Sequence, residues 1–153
     1  MSGDAPNTIR MLSGEECSQL LGAGHVGRLG VCGPDGPVIY PVNYLWQAGH
    51  IALRTSPGTG LAEAAQSAVA FEIDHLDEAT RSGWSVLVVG TAYEVTDSMD
   101  EVSLALREAP VDTWAPGAKA VVLRVEPQSI TGRAVGPAAD SWSAADSWSA
   151  ADS

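Results

Sequence analysis

From residue 25 onward the apolar positions fall on every second residue, in short runs separated by turn chemistry, a pattern that predicts β-strands. Three runs rich in β-branched residues, 25–32, 38–46 and 51–55, are separated by Gly33-Pro34-Asp35-Gly36-Pro37 and Gln47-Ala48-Gly49-His50. Both separators are short enough for hairpin loops, so an antiparallel meander is expected. Pro41 interrupts the second run. It cannot donate to a ladder, which assigns it to an edge or a bulge and leaves nearby backbone able to face a ligand. Strand character resumes over 68–74, 84–95 and 118–125, and the unbroken run Val86-Leu87-Val88-Val89 predicts burial on both faces.

Helical signals are sparser. Ser13-Gly14-Glu15-Glu16 matches a capping box, and Cys17, Leu20 and Leu21 follow at the spacing of one helical face. Ser98-Met99-Asp100-Glu101 repeats the capping signal ahead of a helix to residue 108, and the Ala-rich stretch 61–66 predicts a helix of about two turns. The whole describes a mainly β chain, an antiparallel β-barrel of six or seven strands with short helices, over residues 12–135. Residues 1–11 read as a flexible lead-in. Residues 136–153 read as a low-complexity, disordered tail, because Ser141-Trp142-Ser143-Ala144-Ala145-Asp146 recurs immediately over 147–152 with neither helical nor strand periodicity.

Charge then narrows the partners. Nineteen acidic residues against eight basic ones give a net charge of −11, a surface that repels phosphate backbones and argues against nucleic acid. Lys119 is the only lysine, so the few arginines indicate where an anionic ligand would sit. No apolar run approaches the roughly 18 residues of a membrane helix, and the first dozen residues lack the features of a secretion signal. With Cys17 and Cys32 reading as two free thiols, a cytoplasmic location is expected. His25, His50 and His75 lack ligand spacing, so no metal site is expected. The acidic residues Asp74, Asp77 and Glu78 read as a solvated turn.

Most chemical motifs fail. Gly22-Ala23-Gly24-His25-Val26-Gly27 has the GxGxxG spacing but follows a helix and opens a strand, the reverse of a dinucleotide fingerprint. GxxxxGK[ST], GxSxG and HExxH do not occur. The segment that survives is Arg54-Thr55-Ser56-Pro57-Gly58-Thr59-Gly60 at a strand-to-helix junction. Arg54 offers a planar cationic fork, Thr55, Ser56 and Thr59 offer hydroxyls, Gly58 and Gly60 open the backbone, and the start of the next helix adds its amides. The alternative is an ordinary surface arginine before a helix cap.

Five segments in order now resemble the pyridoxamine 5'-phosphate oxidase-like flavin-binding split-barrel family: Gly27-Arg28-Leu29-Gly30, Pro41-Val42-Asn43-Tyr44, Arg54-Thr55-Ser56-Pro57-Gly58, Ala70-Phe71-Glu72-Ile73-Asp74 and the stretch from Gly83 to Ala92. The resemblance implies a six-stranded split β-barrel that forms a homodimer, with FMN, or a deazaflavin in actinobacterial relatives, in clefts at the dimer interface. It implies that Arg54, Thr55, Ser56 and Thr59 hold the cofactor phosphate. Pro41, Val42 and Asn43 would lie along the isoalloxazine ring, with Trp84 and Ser85 reaching in from the start of the long strand, across the interface. Many relatives carry a Lys where this chain has Gly60, so the clamp lacks one cation, a loss of roughly 1.5 to 3 kcal/mol that implies weaker FMN binding or a different ligand. The implied activity is a flavin-dependent oxidoreductase transferring hydride to a small-molecule acceptor, with no catalytic side chain assigned. A deazaflavin-dependent reductase, a non-catalytic flavin-binding or sensing module, and haem binding remain the alternatives. Too few basic residues are present to expect pyridoxamine phosphate as the substrate.

Overall fold

Ser13 caps the first helix in the manner its sequence requires: its Oγ accepts the Glu16 amide at 3.1 Å, while the Glu16 carboxylate accepts the Ser13 amide at 2.9 Å. In this computed structural model, which describes residues 6–95, 101, 105, 111–117, 119–137 and 142–144, helix α1 spans Gly14–Ala23 and buries Cys17, Leu20 and Leu21. Its far end is tied down by the Tyr44 hydroxyl, which donates to the Leu21 carbonyl at 2.7 Å. At its near end Arg10 makes a bidentate pair with Glu16, at 3.0 and 2.6 Å. That guanidinium, helped by the Ser13 amide, pulls the Glu16 carboxyl down to about 2.

The strands are β1 (Thr8–Met11), β2 (Val26–Gly33), β3 (Gly36–Asn43), β4 (Leu45–Gln47), β5 (His50–Thr55), β6 (Ala68–Asp77), β7 (Ser82–Glu94) and β8 (Val121–Gly136). All pair antiparallel in the order β3-β2-β6-β7-β8-β5-β4, with β1 beside the end of β8. The sheet curls into a split barrel whose concave face is closed by α1. Leu29, Leu53, Phe71, Val86 and Leu123 meet Leu20 and Leu21 of α1 in one core. Each of those fully buried side chains contributes about 1.5 to 3 kcal/mol of transfer free energy.

β8 is the spine. Its first five residues pair with Ile51 to Thr55 of β5, its length pairs with β7, and its last four pair with β1. The sequence shows only its beginning, because Pro127 and the polar residues around it read as loop. Pro127 is accommodated by a register shift between Val89 and Gly90, and Gly90 is needed there: a Cβ would run into the Glu126 carbonyl.

Other expectations are corrected. Thr8–Met11, expected to be flexible, form β1. The helix expected over 61–66 is only a 3-10 turn, Ala62–Ala64. Six residues are too few to sustain an isolated α-helix, and the Gln66 amide is drawn instead to the Ala92 carbonyl at 2.7 Å. Within the Val86-to-Val89 run, burial alternates: Val86 and Val88 are inside, while Leu87 and Val89 are 41% and 39% exposed. The helix expected over 98–108 and most of the terminal repeat lie outside the described residues. Of that repeat, Trp142 lies under the Arg10 guanidinium, which also donates to the Trp142 carbonyl at 2.8 Å, and Ala144 is buried in the core. Cys17 and Cys32 are free thiols. Among the described residues no helix is long and apolar enough to cross a membrane.

Candidate functional site

β5 ends by delivering Arg54 and Thr55 to the mouth of a cleft, and the loop that follows is shaped by one hydroxyl. Thr59 Oγ1 donates to the Ser56 carbonyl at 3.0 Å, accepts the Ala62 amide at 3.0 Å, and lies 2.8 Å from Thr55 Oγ1. Because the single Thr59 proton goes to Ser56, Thr55 supplies the proton shared between the two threonines. Both hydroxyl protons are therefore spent inside the loop. The three-residue 3-10 turn beyond it carries no macrodipole comparable to that of the expected helix.

The cleft has a volume of about 250 Å³ and gathers Arg54, Thr55, Thr59 and Gly60 from the β5 end and its loop, with Pro41, Val42 and Asn43 from the end of β3. Seven of the ten residues singled out from the sequence thus share one space. Ser56 is not among its lining residues and contributes its carbonyl to Thr59. Asn43 accepts the Trp114 amide on its Oδ1 at 2.9 Å, which ties the segment leading into β8 to the cleft as a further wall.

That wall is the part sequence reasoning missed: Thr113, Ala115 and Lys119 line the cleft, as do Tyr40 and Leu61. One signal pointed to it, the singularity of Lys119 in so acidic a chain. Gly60 also has a local explanation. A Cβ at this position would collide with the Tyr40 hydroxyl and lie 3.3 Å from Tyr40 Cζ, so the tyrosine occupies the space a side chain would need.

Trp84 and Ser85 lie elsewhere. They line a second cleft of about 410 Å³ at the start of β7, with Arg81 and Arg133 among its other walls. Trp84 is only 2% exposed and mostly fills core volume. Along β8, Arg54 pairs with Val122 and Ser85 pairs with Arg133. The eleven residue steps from 122 to 133 correspond to a contour of roughly 36 Å. One chain therefore does not bring the two sets together.

Of the acidic residues expected in a turn, Asp77 ends β6 and accepts the Ala79 and Thr80 amides at 3.0 and 3.3 Å, whereas Asp74 lies within β6, paired with Ser85 of β7. Further up the strand, Arg28 bridges Glu72 at 3.2 Å and Asp74 at 3.5 Å. Partial burial, together with the neighbouring Asp74 carboxylate, outweighs Arg28 and pushes Glu72 up to about 7. This cluster lies apart from the cleft lining.

Known proteins share this fold. A FAD-binding protein of Mycobacterium smegmatis is 35% identical, with a TM-score of 0.67 over 82% of this chain and 97% of its own. A FAD-binding protein of Mesorhizobium loti is 27% identical, with a TM-score of 0.65 over 82% and 97%. An uncharacterized protein of Mycobacterium tuberculosis is 33% identical across 79% of this chain and 82% of its own. The family model for pyridoxamine 5'-phosphate oxidase matches residues 13–134, from the helix cap to the end of β8. On that match and that fold, the chain belongs to the pyridoxamine 5'-phosphate oxidase family of flavin-binding split barrels.

Proposed function

We propose that the cleft at the end of β5 holds the phosphate end of a flavin nucleotide, FMN or the FMN half of FAD, and that the chain is a flavin-dependent oxidoreductase acting as a homodimer. The observation that carries this reading is the convergence of Arg54 and its loop with the Pro41-Val42-Asn43 strand end in one space. Relatives that bind FAD support the flavin as such. The residues fit the group: Arg54 supplies a planar cationic fork for a phosphate, and Pro41, Val42 and Leu61 supply apolar wall for the rest.

At about 250 Å³ the cleft is smaller than the roughly 300 to 1,000 Å³ of a complete cofactor pocket. A second copy would complete it, and with it would come the distant Trp84 and Ser85. An apolar surface suits such an association. Ile39, Gly30, Ala70 and Val89 form a cross-strand row on the convex face, joined by Leu87. Ile39 is 70% exposed.

A bound flavin supplies the hydride chemistry. The chain's own work is to grip, orient and dry it. Arg54 anchors the anionic end, Val42 keeps the inner wall apolar, and Asn43 holds the 111–115 wall in place through the Trp114 amide.

The test is a fluorescence titration of wild type and Arg54→Ala with FMN and FAD. A lost charge-assisted hydrogen bond should weaken binding about tenfold or more. Equal affinities would remove Arg54 from the clamp. A preference for a deazaflavin over both flavins would redirect the reading to a deazaflavin-dependent reductase. Bound flavin that NAD(P)H does not reduce would redirect it to a sensing module.

A further inference from the structure

We infer that Lys119 is the second cation of the cleft, and that it sets a preference for phosphorylated over unphosphorylated flavin; this rests on the flavin reading above. A phosphate dianion needs two positive charges or a set of good donors. The loop hydroxyls supply none of the latter. The Thr55 and Thr59 hydroxyl protons are consumed within the loop, and the expected helix N-terminus is a three-residue 3-10 turn. No side chain can extend from Gly60 while the Tyr40 hydroxyl occupies its space. A compensating charge therefore has to enter from another wall.

Lys119 meets that requirement. It lines the same cleft as Arg54, from the segment that leads into β8. It is the sole lysine in a chain of net charge −11. In such a chain a cation is easily neutralised, yet among the described residues no carboxylate lies within ion-pair distance of it. Its ammonium, a compact charge on a long flexible stem, can follow a phosphate that Arg54 grips in the same cleft. The cation missing beside Leu61 has thus moved to a distant part of the sequence that folding returns to the same cleft.

The experiment titrates wild type, Lys119→Ala, Lys119→Arg and Arg54→Ala with FMN and with riboflavin, which lacks the phosphate, at two salt concentrations. Lys119→Ala should weaken FMN binding about tenfold, leave riboflavin binding unchanged and flatten the salt dependence, while Lys119→Arg stays close to wild type. If Lys119→Ala binds FMN as wild type does while Arg54→Ala does not, the assignment of Lys119 falls and the flavin reading stands. Equal weakening of riboflavin and FMN would mean that Lys119 only packs the wall, and also overturns the assignment. A wild type that binds neither compound overturns the flavin reading and takes Lys119 with it.

Discussion

Gly60→Ala places a methyl group where the Tyr40 hydroxyl stands, and the cost of doing so can be worked out atom by atom. The new Cβ would collide with Tyr40 Oη and would sit 3.3 Å from Cζ. Overpacking of this kind costs about 1 to 3 kcal/mol. Tyr40 is half-buried and the colliding atom is the tip of its side chain, so the ring can swing aside and the cost should fall near the lower end of that range. In a Tyr40→Phe background the hydroxyl is gone, and a contact of 3.3 Å yields to a shift of a few tenths of an ångström. Gly60 does not adopt a positive φ. There, Gly60→Ala should be neutral or even stabilising by about 0.4 to 1 kcal/mol, through the reduced entropy of the unfolded chain. The two substitutions are therefore coupled by about 1 to 2 kcal/mol, measurable as a double-mutant cycle in urea unfolding at constant m-value. Effects that add to within about 0.5 kcal/mol would show that Tyr40 does not fill the space beside Gly60. Steric exclusion by the tyrosine would then not be what keeps a glycine at this position.

Two further outcomes are expected. Glu72 titrates near 7 in the folded chain against an ordinary value of 4.5, so the native state binds this proton more tightly than the unfolded state does. Its contribution to stability is fully present below about 4.5 and is lost as the pH rises through 7. Glu72→Gln should therefore gain stability relative to wild type across that window, in unfolding curves taken from about pH 4 to 8, and parallel curves would refute the shift. Leu87→Glu puts a charge on the convex apolar face and should convert a dimer to a monomer in sedimentation analysis. A variant that sediments as wild type does would move the interface elsewhere.

Much of the fold was legible because it is written locally. The capping box of Ser13 and Glu16, the period-two runs that became β2, β3, β5, β6 and β7, and the hairpin separators all act over a few residues. The segments that misled are those whose fate depends on distant partners. Residues 8–11 carry no strong strand signal and are ordered by the end of β8. Residues 126–136 look like loop, yet continue β8 because β7 holds them through a bulge at Pro127. Residues 61–66 favour helix on composition but are too few to nucleate one, and Ala92 draws the chain away.

The same division runs through the cleft. Local chemistry was enough to put Arg54, its hydroxyls and its glycines in one loop at a strand end, and to set Pro41 to Asn43 on an edge strand, because both follow from turn preferences and the missing proline amide. It took the folded chain to make these two segments face each other, to use the threonine protons internally, and to fill the room above Gly60 with Tyr40. Folding alone also carries Lys119 across some sixty intervening residues into the cleft that Arg54 lines. Proximity of that kind comes from the curl of the sheet and the course of β8, and no property of a short stretch of chain encodes it.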